Sequence, residues 1–511
     1  MRTNTFRTTP GLKSLLLLIA VHCYVASAES QQAPDSPAYR DMPGFESPVQ
    51  RERAQGLVDA LNAGTPEAVA EFLERHGTEE YRLSQTLEAH LHQFTRATWR
   101  MGRISIGGQR HWARRPPGYF DVIVRGDSTG VWWWLELGYA ENEDSRLTGF
   151  SISAINAPTF AADAALTNAD FDDEVRRLVL SSCEIQAFSG SVLIAREEQV
   201  ISTVACGMAS NVFGISNTID TKYNLGSMNK MFTAIAIMQL VDRARLTLAD
   251  PLGKHLDRSW HRDDEGGQAT IEHALAHRAG FGNYMSSPMW FGSRVPFTEP
   301  SDFREIITNE HLLFSPGSQF RYSNSGYVLL GALIERVTGD SYYDVIAREI
   351  YSRAGMNETE SHRFDEIVEG AAEGYEFGSL GESGTPELRK ALFLRRADRG
   401  TPAGGGYSTV VDLHRFAVAL LRGKLLSRDS LERMWIDKSG VGFGYGYGLG
   451  FEVRQVAGER SVGHNGSAPG ISANFEVMPE SGYVVIVLSN YSNAAVPIAR
   501  RLGDLVTSRE R

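Results

Sequence analysis

The spacing of apolar positions changes character along the chain. From Pro48 to about His76, Leu57, Val58 and Leu61, then Val69, Phe72 and Leu73, recur at intervals of one helical turn, and the polar stretch Asn62-Ala-Gly-Thr-Pro66 divides them. That spacing predicts two short helices. No Gly or Pro interrupts TLEAHLHQFTRATWRM, so a third helix is expected over 86–101. The pattern then becomes strand-like in ISIGGQRHWARR, GYFDVIVRG, GVWWWLELGYA and RLTGFSISAINAP, split by the turns Pro116-Pro-Gly118 and Asp127-Ser-Thr-Gly130. Helices followed by hairpin-linked strands make an α+β unit.

A short Ala-rich linker, 158–168, leads into a longer unit, 169–511. DFDDEVRRLVLSSC has helical spacing and FSGSVLIAREEQVISTVACG reads as a hairpin. After a long helical middle, YGLGFEVRQVAGERSVGHNG and ISANFEVMPESGYVVIVLSN return to strands, and NAAVPIARRLGDLV closes with a helix. Hairpins at both ends of this unit predict one antiparallel sheet built from both chain ends, with the helices covering it.

The first 28 residues change the picture. MRTNTFRTTPGLK is basic, SLLLLIAV is apolar but too short to span a bilayer, and Ala26-Ser27-Ala28 is a small-residue cleavage site. A signal peptide over 1–28 and an exported, periplasmic or secreted chain are expected, with 29–47 a polar, proline-rich, disordered lead-in. His22 before Cys23 does not suit a lipoprotein box, and no later segment is long and apolar enough to span a membrane. Removing Arg2, Arg7 and Lys13 takes the formal charge from −11 to about −14. Such a chain repels phosphate backbones, so nucleic acid is not an expected partner. Two cysteines remain, Cys183 and Cys206, too few for a disulfide scaffold or a zinc site. If 189–196 pairs with 199–206, Cys206 lies opposite Ser189, six residues after Cys183. A disulfide is then geometrically allowed, and the sequence leaves it open.

Candidate chemistry starts at NLGSMNKMFTAIAIMQL. Ser227 and Lys230 lie three residues apart at the entrance of an apolar helix, so they share a face, and the free N–H groups of the first turn favour negative charge. A hydroxyl becomes a nucleophile when a base takes its proton, and a lysine among Met231 and Phe232 loses hydration and with it basicity. Alone, the pair is as well explained by a helix cap. FRYSNSG places Tyr322 and Asn324 at a second helix entrance, where a phenol beside an ammonium ion can relay protons and an amide can orient a carbonyl. GHNG puts His464, Asn465 and Gly466 on a strand ending at Ser467-Ala-Pro-Gly470. There glycine admits a substrate backbone, and the N–H groups of Ser227 and Ser467 could bind an oxyanion.

Together GSMNK, RYSNSGY and GHNG resemble the Ser-x-x-Lys, Tyr-x-Asn and (Lys/His)-x-Gly elements of the serine beta-lactamase and penicillin-binding superfamily, in its class C beta-lactamase, D,D-peptidase and esterase branch. ALAHRAGFGNY, FSPGSQFRYSN, LIERVTGDSYYDVIAREI and TPAGGGYSTVVDLHRFAVALL fit the same branch. The resemblance implies a helical subdomain facing an antiparallel sheet, with the site in the cleft between them. It implies Ser227 as acylated nucleophile, Lys230 and Tyr322 as the proton shuttle, and Asn324, His464, Asn465 and Gly466 as substrate-binding residues. The Ser227 and Ser467 amides become the oxyanion hole, and no cofactor or metal is implied. Over 48–157, LNAGTPEAVAEFLERH and the strands after it resemble the cystatin-like cone of the nuclear transport factor two and SnoaL group. Such cones often dimerise or hold a small ligand, so a homodimer through this domain is an expectation. Trp132, Trp133, Trp134, His90 and His92 are read as core and interface residues.

Two departures bear on function. HRAG at 277–280 replaces His-Thr-Ser-Gly and is read as local packing. His464-Asn465-Gly466 replaces Lys-Thr-Gly, whose cation and hydroxyl help hold a substrate carboxylate. The expected function is therefore hydrolysis of a small ester, amide or peptide through an acyl-enzyme. A beta-lactamase or D-alanyl-D-alanine peptidase using the same residues is one alternative, and a non-catalytic ligand-binding module is the other.

Overall fold

The computed structural model describes residues 39–113, 117–141, 145–161, 165–262, 264–292, 297–363, 366–380, 386–391, 399–442 and 445–509. The expected signal peptide and the lead-in up to residue 38 lie outside the described residues, as do part of the Pro116-Pro-Gly118 turn and residues 443–444 of a glycine run.

An N-terminal layer comes first. It comprises β1 (Tyr39–Met42), α1 (Pro48–Ala63), α2 (Pro66–His76), the short α3 (Glu79–Leu83), α4 (Leu87–Met101), β2 (Ile104–Trp112), β3 (Tyr119–Gly126), β4 (Trp132–Tyr139) and β5 (Leu147–Ile155). The five strands pair antiparallel in chain order. Helices α1 and α2 start where expected, because Ser47 and Thr65 cap them and proline fills the first helical position. Strand β1 falls inside the stretch read as a disordered lead-in. Its partners come from far along the chain: Arg110 forms an ion pair with Asp41 at 2.7 Å, both nearly buried, and the Tyr39 ring lies 5.1 Å from that of Trp112. Trp133 joins Leu57, Phe72 and Phe94 in the core under the helices, whereas Trp132 packs near Phe160 and Trp134 donates to Asp121 on the opposite face. Period-two alternation separates them in this way.

The second part contains α5 (Asn168–Glu184), β6 (Gly190–Arg196), β7 (Gln199–Cys206), α6 (Asn229–Asp242), α7 (Asn324–Thr338), the hairpin β8 (Tyr375–Leu380) and β9 (Pro386–Lys390), and α8 (Val410–Leu421). It ends with β10 (Tyr445–Tyr447), β11 (Glu452–Val456), β12 (Glu459–Ala468), β13 (Ile471–Met478), β14 (Tyr483–Ser489) and α9 (Ala495–Thr507). Seven strands form one antiparallel sheet, β10-β11-β12-β13-β14-β6-β7, closed between chain ends by β14 on β6 from Tyr483↔Arg196 to Ser489↔Gly190. Strand β14 reads VVIVL without alternation because both faces are covered. Val484, Ile486 and Leu488 pack towards α6 and α7, and Val485 and Val487 towards α5, α9 and the N-terminal layer. Each such side chain contributes roughly 1.5–3 kcal/mol by leaving water.

Cys183 and Cys206 are joined, with Cα atoms 6.4 Å apart. The register differs from expectation by one residue: a bulge takes the pairing from Ala195↔Val200 to Ile194↔Ser202, so Cys206 faces Gly190 instead of Ser189. The two layers meet at α9, where Asp504 accepts the Asn156 amide and the Ala157 N–H, both at 2.8 Å. Among the described residues no helix is long and apolar enough to cross a membrane.

Candidate active site

Helix α6 is buried on all sides from Asn229 to Leu240, the fate its unbroken apolar sequence dictates. A single 3-10 turn, Gly226–Met228, precedes it and carries Ser227, half-buried. Gly226 has φ +52°, a backbone conformation open to glycine, and this sharp entry presents Ser227 at the helix mouth. One turn on, Lys230 is completely buried, and burial pushes its pKa well below that of a free lysine.

Three oxygen atoms surround the Lys230 amine. Its Nζ lies 3.2 Å from Ser227 Oγ, 2.7 Å from Asn324 Oδ1 and within hydrogen-bonding distance of the Ala403 carbonyl. The Asn324 and Ala403 oxygens can only accept, so Nζ donates to both. An ammonium has a third N–H for Ser227 Oγ, whereas the neutral amine would turn its lone pair to that hydroxyl. With its proton lost, the amine is within reach of the Ser227 hydroxyl. Asn324 is itself buried, and its Nδ2 donates to Asn283 Oδ1 at 3.2 Å, so its amide holds Lys230 in place.

The Tyr322 ring centroid is 4.6 Å from Lys230 Nζ. Behind it stands His277, its ring 4.2 Å away and buried, with Nδ1 accepting the Ser323 N–H at 3.0 Å. Burial drives His277 well below the usual imidazole range, so it supports Tyr322 as a neutral ring. The residue of HRAG that lies behind Tyr322 is thus the shared His277, whereas the departing Arg278 donates to the Gly317 and Lys438 carbonyls.

From the sheet, β12 brings His464 to the same place. Its Nδ1 donates to the Asn465 carbonyl at 2.5 Å, which leaves Nε2 to accept the Tyr447 hydroxyl at 3.0 Å. Burial pushes His464 down to about 4, against a smaller opposing pull from Glu452. The ring is therefore neutral around pH 7. Asn465 alternates to the other face of the strand, where its amide donates to Glu452. The close backbone approach that Gly466 permits is that of the nucleophile turn: a Cβ there would meet the Leu225 carbonyl oxygen at 1.9 Å. This contact brings Ser467 beside Ser227, because a Cβ on Gly226 would lie 3.1 Å from the Ser467 nitrogen and one on Gly466 3.0 Å from the Ser227 nitrogen.

A fourth segment, Thr401-Pro-Ala-Gly-Gly-Gly406, is part of the site, and its sequence marks it only as a stretch that fits the same branch. Besides the Ala403 carbonyl on Lys230, it accepts from Asn229 at Thr401 O (2.6 Å) and from Thr233 at Pro402 O (2.8 Å), and Gly405 N–H donates to Gly226 O (2.9 Å). Every residue has a carbonyl, so side-chain identity gives no signal for this role. Asn283 and Tyr447 likewise carry no signal in sequence, and His277, read as local packing, does pack, against Tyr322.

Residues 172–507 match the family model described as Beta-lactamase. The chain is 25% identical over 386 residues to the putative penicillin-binding protein PbpX of Bacillus subtilis (strain 168), spanning 71% of this chain and 87% of that protein. It is 28% identical over 318 residues to penicillin-binding protein 4* of the same organism, spanning 60% and 69%. Among solved structures, the penicillin binding protein from Bacillus halodurans is similar with a TM-score of 0.56 and 27% identity, over 63% of this chain and 96% of that one. The chain belongs to the beta-lactamase family and is a serine hydrolase of that fold.

Proposed function

We propose that the protein is an exported hydrolase that cleaves a small, uncharged ester or amide through an acyl-enzyme on Ser227. The observation that carries this reading is the buried Lys230, with two carbonyl acceptors fixing its N–H groups and Ser227 Oγ on its third side. A substrate carbonyl placed over Ser227 directs its oxygen to the N–H groups of Ser227 and Ser467. As Oγ bonds to the carbonyl carbon, its proton passes to Lys230 and the carbonyl π pair moves to oxygen. Tyr322, beside Lys230, relays that proton to the departing alcohol or amine. Water then attacks the ester on Ser227 with the same groups in reverse, releasing the acid.

Preference for uncharged substrates is supported by His464 and Asn465. The first is neutral and bonded to Tyr447 and the second is turned to Glu452, so neither supplies the cation or hydroxyl that would grip a carboxylate. The names of the Bacillus relatives favour a second reading, a penicillin-binding D-alanyl-D-alanine peptidase on the same residues. Intact mass after incubation with a neutral ester, a D-alanyl-D-alanine peptide and a penicillin separates the two. The first reading expects ester turnover far above the others, the second a lasting penicilloyl adduct, and inertness to all three would mean a ligand-binding module. Export rests on residues 1–28 and is tested by N-terminal sequencing of the secreted chain. The cystatin-like identity of residues 48–157 and a homodimer through them belong to the same proposal, and sedimentation of the full chain tests the dimer.

A further inference from the structure

We propose that the N-terminal layer holds the two oxyanion-hole segments in register, acting through the β8–β9 hairpin. This rests on the reading of the Ser227 and Ser467 amides given above. The chain leading into β8 is wedged between those segments. On one side, Lys222 N–H donates to Gly370 O and Ala372 N–H donates to Lys222 O, both at 2.9 Å, five residues ahead of Ser227. On the other side, Gly374 lies directly against Gly470, in the Pro469-Gly470 turn just beyond Ser467: a Cβ on Gly374 would sit 2.7 Å from the Gly470 oxygen. Tyr375 N–H donates to Asn490 O at 2.7 Å and Ala391 N–H to Gly374 O at 2.8 Å, which ties both hairpin strands to this wedge.

The outer side of the hairpin is held by α4. His92 Nε2–H donates to the Gly378 carbonyl at 2.8 Å across 286 residues of sequence, and Trp99 packs on Phe377. Tyr375 and Leu388 belong to the same apolar cluster as Phe94 and Trp99. The hairpin needs such support. Two strands alone are marginally stable in water, and the β8–β9 register slips between Phe377 and Leu380, the point that His92 bonds. Oxyanion donors work only at about 2.7–3.1 Å from the developing charge, and displacement of the order of 1 Å can lower rates about a hundredfold. A layer that fixes the wedge therefore fixes the distance between two catalytic amides without touching substrate. His92 and Trp99 are positioning residues, and His90, bonded to Gln85 within the layer, is not one.

The test uses the full chain with His92→Ala, His92→Gln, Trp99→Ala and, as a control, His90→Ala. Two readouts are taken: kcat and KM for a neutral chromogenic ester, and amide hydrogen exchange in peptides covering 222–227 and 467–470. His92→Ala and Trp99→Ala should lower kcat about tenfold or more with KM and the shape of the pH profile unchanged. Exchange should become faster at both segments. His92→Gln, which keeps a donor for Gly378, should restore most of kcat, and His90→Ala should leave exchange at both segments as in the parent. Folded His92→Ala and Trp99→Ala variants with parental exchange and kcat within about twofold would overturn the proposal. If the parent turns over no ester, exchange alone decides: acceleration at both segments upholds the coupling while the reading of function falls, and unchanged exchange overturns the coupling.

Discussion

Lys230 Nζ stands 3.2 Å from Ser227 Oγ, and its two other polar neighbours, Asn324 Oδ1 and the Ala403 carbonyl, are acceptors. In its neutral form the amine would donate to those two oxygens and turn its lone pair to the serine. Ser227→Ala should abolish labelling by a fluorophosphonate while changing stability by no more than about 1 kcal/mol, since the residue is half-buried at a helix entrance. Labelling and a urea titration of the same preparation check both parts, and residual labelling would point to another serine.

Because Lys230 must be neutral to accept the serine proton and burial lowers its pKa, kcat/KM should rise with pH through that lowered pKa and level off well below the pH of a free lysine. Lys230→Ala should remove that limb and reduce the acylation rate by at least about a hundredfold, and Tyr322→Phe should slow acylation or deacylation. Stopped-flow acylation across pH measures this. Near-normal turnover in both variants would end the shuttle assignment.

His464 is held near 4 in the fold and titrates at 6.5 in a free chain. On acidification the unfolded chain takes up this proton first. The contribution is therefore fully present above pH 6.5 and is lost as pH falls towards 4, amounting to about 3 kcal/mol. His464→Gln should flatten the fall in urea midpoint across that window. An unchanged slope would show that the ring is not the group responsible.

Neutral short-chain esters should exceed penicillins, cephalosporins and D-alanyl-D-alanine peptides in kcat/KM by at least about tenfold. His464→Lys combined with Asn465→Thr should narrow that gap, because it supplies a cation and a hydroxyl on β12. Four substrates and two proteins suffice. Efficient cephalosporin hydrolysis by the parent, above its esterase activity, would reverse the ranking.

The Cys183–Cys206 bond closes a loop with a sequence separation of 23. Its removal by a double serine substitution should lower stability by about 3 kcal/mol if the effect is mainly on the unfolded chain. Free-thiol titration of denatured, unreduced protein should find neither thiol, and two free thiols would contradict the pairing.

Much of this was fixed locally. Helices α1, α2 and α4, strands β2 to β7 except the β6–β7 hairpin register, strands β11 to β14, the capping residues and the three elements GSMNK, RYSNSGY and GHNG are short-range patterns, set by the 3.6 and 2.0 periodicities and by cap chemistry. The tertiary structure decided what those residues face. Strand alternation turned Asn465 to Glu452, while the approach of Leu225 took the space beside Gly466. A carbonyl from Ala403, anonymous in sequence, became the second acceptor that holds Lys230. Strand β1 looked like a polar tail until Trp112 and Arg110, about 70 residues on, gave its groups partners. His90 and His92 read alike as letters, yet one bonds within its own layer and the other reaches Gly378. Local propensity chooses an element, but burial, protonation and hydrogen-bond partners depend on groups that only folding brings within a few ångströms.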